Sequence, residues 1–201
     1  MTTSCTRTPT EAMQSVPLRP EELRGRASGV TVCAVMGLTW AGSALGSLSA
    51  VVAVRLLAVG VGCFALLMVG ARRLPRAATA FPAPPSPGPD LSQARHLFAL
   101  VVAGEAAAIF AAVIILVRSD HADWIPATVC AAVGLHFIPL ARLFRLAIYY
   151  ATAAALCLVA VTTMLLGAAG AAGSLWQMLP GFGAALVLWV TGARLLAAST
   201  R

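Results

Sequence analysis

The chain contains no lysine: all fourteen of its basic residues are arginine, only 7 residues are acidic, and charged side chains make up 10% of 201 residues. Soluble domains carry about 25% charged residues, so a water-soluble globular fold is excluded. The sequence also has no CxxC pair, no Cys–His metal spacing, no P-loop, no dinucleotide fingerprint, no HExxH and no GxSxG. ATP hydrolysis, nicotinamide chemistry and zinc proteolysis therefore lose their usual handles, and no metal or cofactor is expected. Aromatic residues are scarce, at 6%. What remains is apolar: 60% of residues are hydrophobic and the mean hydropathy is +0.89. Disorder is excluded for most of the chain, because apolar surface is plentiful. The net charge of +7 reads as membrane-topology information rather than a nucleic-acid footprint.

A helix needs about 20 mostly apolar residues to cross the hydrocarbon core of a bilayer. Stretches at 31–48, 51–69, 97–117, 124–141, 148–169 and 176–195 meet that need or nearly so. The expected fold is therefore all-α, a polytopic bundle of six transmembrane helices. Arg55 lies close to one end of the second span, where its long side chain can snorkel to the headgroups. Gly46, Ser47 and Ser49 supply turn chemistry between the first two spans.

The arginines orient the bundle. Arg7, Arg19, Arg24 and Arg26 precede the first span, and Arg72, Arg73, Arg76 and Arg95 lie between the second and third. Arg142 and Arg145 follow the fourth, and Arg194 and Arg201 end the chain. An even number of spans puts all of these on one side, with Arg55 and Arg118 on the other. The positive-inside rule makes the arginine-rich side cytoplasmic. A multi-pass protein of the cell membrane with both termini in the cytoplasm is expected.

Residues 1–29 form a polar N-terminal tail without an apolar stretch before Val30, so no cleavable signal peptide is expected. Pro20, Glu21, Glu22 and Leu23 suit the start of a short interfacial helix. Residues 71–96 read as a cytoplasmic linker, extended at the proline-rich segment 81–90. It separates a two-helix unit, 30–70, from a four-helix unit, 97–201. No internal repeat supports an inverted-repeat transporter. Trp124 and Trp176 open spans on the outer side, while Tyr149 and Tyr150 sit at the inner boundary, as interfacial belts favour. Cys33, Cys63, Cys130 and Cys157 fall in or beside spans and Cys5 in the tail, a pattern of apolar filler rather than a disulfide framework.

Two ionisable side chains lie well inside predicted spans, Glu105 and His136. A charge at the bilayer centre costs about 2.5–3.5 kcal/mol on insertion scales, so such groups are candidate functional residues. Glu105 lies roughly 12 Å from the inner end of its helix and His136 roughly 8 Å from the inner end of the next, at 1.5 Å per residue. The two can meet in the cytoplasmic half of the bundle. Gly104, Ala106, Ala107 and Ala108 flank Glu105, with Ala103, Ala111 and Ala112 beyond, a surface that favours burial between close helices. Two chemistries follow: a neutral acid that donates its proton, or a carboxylate held ionised by a cationic imidazole. The structural alternative is a hydrogen bond joining two helices, with Pro139 freeing a backbone carbonyl that the His136 ring could satisfy.

Trp40 and Trp189 lie mid-span and at the inner half of their helices; facing inward, they would line a cavity with π faces above the acid, and such faces attract cations. Thr39, Ser43, Thr162, Thr163 and Gln177 are weaker polar additions. Gly42 and Gly46 form one GxxxG, a motif of close helix packing that admits a homodimer.

In size, span number and sparse acidic content, the chain resembles small bacterial integral-membrane terpene cyclases acting on prenylated natural products. That resemblance implies a lipophilic substrate and a general acid, for which Glu105 is the matching position. The acid would protonate an alkene or epoxide while aromatic rings stabilise the carbocation and water stays excluded. On this reading Glu105 and His136 are catalytic, with His136 tuning or reloading the acid. Trp40, Trp189, Tyr149 and Tyr150 shape the cavity, and Arg142 and Arg145 face an anionic headgroup or diphosphate. A proton-coupled small-molecule transporter is the alternative, since one buried glutamate can bind proton and substrate in turn. An accessory or structural membrane protein is the third; the run from Gly134 to Phe144 (GLHFIPLARLF) resembles stretches of small bacterial membrane proteins and implies no activity.

Overall fold

A computed structural model describes residues 20–78, 91–171 and 173–199. Helices α1 (Pro20–Ala44), α2 (Ala50–Ala78), α3 (Leu91–Arg118), α4 (Ile125–Phe144), α5 (Ile148–Ala168) and α6 (Leu175–Ala197) follow one another, with 3-10 turns at Leu45–Ser47 and Ala122–Trp124. The described residues contain no strand. Six helices are long and apolar enough to cross a membrane.

The helices outrun the predicted spans at the arginine-rich end. α1 begins at Pro20, so the tail boundary at residue 29 falls inside a helix, and the short interfacial helix is its first turns. Proline suits that first position because its missing N–H would have no intrahelical partner there. α2 continues through Arg72 and Arg73 to Ala78 and α3 starts at Leu91, which narrows the linker of 71–96. Arginine is a good helix former, and charge ends a membrane span without ending a helix. The tail 1–19, with Cys5, and the proline-rich segment 81–90 lie outside the described residues.

α1 and α6 run antiparallel and form the most extensive helix pair. Glycines set their spacing. A Cβ on Gly181 would stand 2.5 Å from Ala44 Cβ and 3.0 Å from the Trp40 carbonyl oxygen, and one on Gly37 would run into the Trp189 indole. α4 and α5 meet in the same way, with the Cys157 backbone N 3.1 Å from where a Gly134 Cβ would be. Small residues at interfaces let membrane helices gain dispersion contact where no hydrophobic force draws them together.

The core is correspondingly fine-grained: Val30, Cys33, Ala34, Cys130, Leu156, Ala160, Ala184 and Leu188 are buried in one cluster drawing on α1, α4, α5 and α6, joined by Leu67 and Ala71 of α2. The stretches either side of 79–90 thus share one core. A buried contact of 2.7 Å between the Thr152 and Thr191 hydroxyls ties α5 to α6. Each hydroxyl also lies within hydrogen-bond distance of the carbonyl four residues back, 3.0 Å to Ile148 and 2.8 Å to Val187. α3 packs chiefly on α4 and on the Ala122–Trp124 turn, and none of its span is buried. Its outer side, with Leu100, Phe110 and Ile115, is exposed and apolar, as a lipid-facing surface must be.

Candidate functional site: an acid–imidazole pair on the α3–α4 seam

Helical periodicity builds the seam. Residues 101, 105, 109 and 112 share one side of α3, and Val101, Glu105, Ile109 and Ala112 are all half-buried there. On the facing helix His136 precedes the buried Phe137 by one residue. Glu105 Oε2 stands 3.1 Å from His136 Nδ1, with side-chain exposures of 18% and 11%. The separation is that of an ion pair, but Nδ1 has no aligned hydrogen-bond partner. The ring therefore faces the carboxyl rather than a carbonyl freed by Pro139.

The small residues are placed otherwise than expected. Ala103, Gly104, Ala106, Ala107, Ala108 and Ala111 are exposed on the outer surface of α3. Glu105 is held in a two-helix seam, and its small neighbours face away from α4, because a residue one or two positions along turns 100° or 200° around the axis.

An aromatic ribbon continues the seam toward the arginine-rich end. Phe98 of α3 meets Phe144 of α4 at 6.3 Å between centroids. Phe144 meets Tyr149 at 6.3 Å, and Tyr149 meets Phe137 at 5.5 Å. His136 closes the run against Phe137 at 6.3 Å. All are edge-to-face arrangements, the preferred geometry of quadrupolar rings. Phe98 and Phe144 remain 43% and 48% exposed, so the ribbon opens sideways onto the outer surface of the helix bundle.

The residues expected to complete the site are divided. Tyr149 is buried in the ribbon and the neighbouring Tyr150 is exposed, as adjacent helical positions dictate. Trp189 packs between Gly37 of α1 and Gly60 of α2, with its Nε1 buried and unpartnered. Trp40 packs against the core, its carbonyl facing Gly181. Both indoles belong to the α1–α2–α6 side, and their described contacts do not include Glu105. Arg142 and Arg145 are exposed where α4 ends, Arg145 in the left-handed conformation with φ 52°.

Phe98, Phe137 and Phe144 were not among the residues singled out from the sequence. Their signal was present: Phe98 and Glu105 are seven residues apart on α3, as are Phe137 and Phe144 on α4, and two helical turns return to nearly the same face.

Among the described residues no cluster of three or more His, Cys, Asp or Glu side chains could hold a metal ion. A carboxyl and an imidazole at contact distance in apolar surroundings can pass a proton between them and on to a third group. Comparison of the chain with protein-family models, curated proteins and solved structures finds no match. Function is therefore argued from the site.

Proposed function

We propose that this protein is an integral membrane enzyme of the cell membrane, with both termini cytoplasmic, that starts the cyclisation of a lipophilic prenylated substrate by protonation. The observation that carries the reading is the Glu105–His136 pair at 3.1 Å beside the ribbon of Phe98, Phe144, Tyr149 and Phe137. An acid next to aromatic rings suits a reaction that passes through a carbocation, since each ring attracts positive charge by roughly 0.5–2 kcal/mol. A seam open to lipid gives an isoprenoid chain a route from the bilayer without crossing water.

Glu105 in its carboxylic acid form gives its proton to one carbon of a terminal alkene. A C–H bond forms as the π bond breaks, leaving a tertiary cation. A second alkene attacks that cation and closes the ring. Loss of a proton from the adjacent carbon forms the product alkene, and His136 accepts that proton and returns it to the Glu105 carboxylate. The net change is an isomerisation, with no oxidant, reductant or cofactor consumed.

The test is turnover in membranes carrying wild type or Glu105→Gln, with a panel of prenylated acceptors and product detection by mass spectrometry. Glutamine keeps size and hydrogen bonding but has no transferable proton. General acids contribute about 10²–10⁴-fold, so conversion by wild type should fall by at least about a hundredfold in the variant. Equal conversion by both proteins would remove Glu105 from its role. No conversion of any acceptor by wild type would overturn the enzyme reading in favour of proton-coupled transport. That alternative draws on one observation: α3 has no buried residue in its span, so it is the helix freest to move and carry Glu105 with it.

A further inference from the structure

At the end of the bundle where the chain enters and leaves, three helices are joined by a small apolar knot. Leu23 and Ala27 of α1 and Leu74 of α2 are buried together, with Leu196 of α6 packed against them. Arginines lie close to it along the chain: Arg24 and Arg26 next to Leu23 and Ala27, Arg72 and Arg73 just before Leu74, and Arg194 two residues before Leu196. Arg26 has an internal task. Its Nη1 donates to the Ala198 carbonyl at 2.9 Å and reaches the Ser199 hydroxyl at 3.4 Å, tying the last turn of α6 to α1. A cation at a helix C-terminus satisfies orphan carbonyls and complements the dipole.

Arg24, Arg72, Arg73 and Arg194 are different. All are exposed, and among the described residues the ion pair found is Glu105–His136, on another part of the molecule. Four guanidinium groups thus stand at three adjoining helix ends outside any described ion pair, and with Glu21 and Glu22 in the first turn of α1 that end still carries an excess of positive charge. The opposite end of the bundle is not built this way. There Arg55 and Arg118 stand with Asp120 and Asp123, so its described charges balance. Below the ring, α2 turns Leu66 and Val69 outward, 74% and 48% exposed, one to two turns from Arg72 and Arg73. Cation above and exposed aliphatic surface below is the layout of a phospholipid seen from the protein.

We propose that the ring formed by Arg24, Arg72, Arg73 and Arg194 is a binding site for an anionic phospholipid carrying two phosphates, with its acyl chains lying along α2. Guanidinium groups fit phosphate through paired N–H···O bonds, and basic pockets between membrane helices bind such headgroups. Two phosphates match the number of free guanidiniums better than one. The aliphatic face of α2 distinguishes a lipid from a free phosphate ion, which would need the ring alone. The site is remote from the Glu105–His136 pair and does not depend on the reaction proposed there.

The experiment is native mass spectrometry of the full chain in non-ionic detergent, titrated with diphosphatidylglycerol or with phosphatidylcholine. Wild type should retain diphosphatidylglycerol in preference by about tenfold or more, given about a kilocalorie per basic residue at a membrane surface. R24Q/R72Q/R73Q/R194Q should lose that preference. R55Q/R118Q, which removes the same kind of charge from the other end, should keep it. If the quadruple variant does not elute as a single species, R72Q/R73Q should show about a threefold or greater loss. The proposal fails if wild type shows no preference, or if the folded ring variants retain diphosphatidylglycerol as wild type does. It also fails if inorganic diphosphate at equal concentration displaces the lipid fully, because a free-phosphate site would then account for the ring.

Discussion

Arg145 shows how one backbone angle can decide what a residue is for. It ends α4 in the left-handed conformation, φ 52°, with its N–H donating to the Ala141 carbonyl, and the Leu146 N–H reaches that same carbonyl at 3.2 Å. Where a helix ends in this conformation the residue is usually glycine, because a Cβ there crowds the following carbonyl. The side chain is exposed and makes no described polar contact that would repay the strain. Arg145→Gly should therefore raise the unfolding midpoint in detergent, by about 0.5–1 kcal/mol in free energy. A fall in the midpoint would show that the guanidinium contributes more to stability than the angle costs. Trp189 makes the opposite case, with a polar atom hidden and unpaired. Its Nε1 is buried without a partner, and Gly37 and Gly60 are the gaps that admit the ring. Nothing about an isolated tryptophan in an apolar run reveals that two glycines on other helices are shaped to receive it. The expectation that Trp189 and Trp40 would stand over the acid rested on depth alone, and depth does not state which way a side chain points.

Depth was legible, and rotation was not. Glu105 and His136 could be brought to similar depth from span ends and helical rise, and the structure brings them to 3.1 Å. Their helices are adjacent and antiparallel, so register alone goes far. The rotation of a helix about its axis is usually read from an apolar stripe, but membrane helices are apolar all round and carry no such stripe. That is why the small residues beside Glu105 were expected between helices and lie instead on the exposed side of α3. Helix ends were misjudged for a related reason. Hydropathy marks where a helix leaves the hydrocarbon, whereas α1 and α2 continue past it to Pro20 and Ala78. The α3–α4 seam holds by few contacts, so its polar pair should be measurable in stability as well as in turnover. In a cycle of Glu105→Ala, His136→Ala and the double variant, the double loss should be smaller than the sum of the single losses by about 1 kcal/mol. Each single change leaves one polar group in apolar surroundings without its neighbour, and the double change removes both. Strict additivity in detergent-solubilised protein would mean that the 3.1 Å approach contributes nothing to holding α3 in place.

At the scale of the molecule, charge separates the two ends of the bundle. Arg24, Arg26, Arg72, Arg73, Arg142, Arg145 and Arg194 lie at the end where α1 begins and α6 finishes, while Arg55 and Arg118 share the other with Asp120 and Asp123. Placing the first group in the cytoplasm follows from the positive-inside rule, and single cysteines can test it directly. In a background with the native cysteines replaced, Ser119→Cys and Ser174→Cys should react with a membrane-impermeant maleimide in intact spheroplasts. Ser199→Cys should react only after permeabilisation. Ser119 and Ser174 are exposed at the turns after α3 and before α6, and the half-buried Ser199 follows the end of α6, so each reports on one end of the bundle. The reverse pattern would place the arginine ring in the outer leaflet and the aromatic ribbon in the outer half of the bilayer. It would also mean that seven described arginines had been translocated against the usual bias, which would require something other than loop charge to set the orientation of this chain.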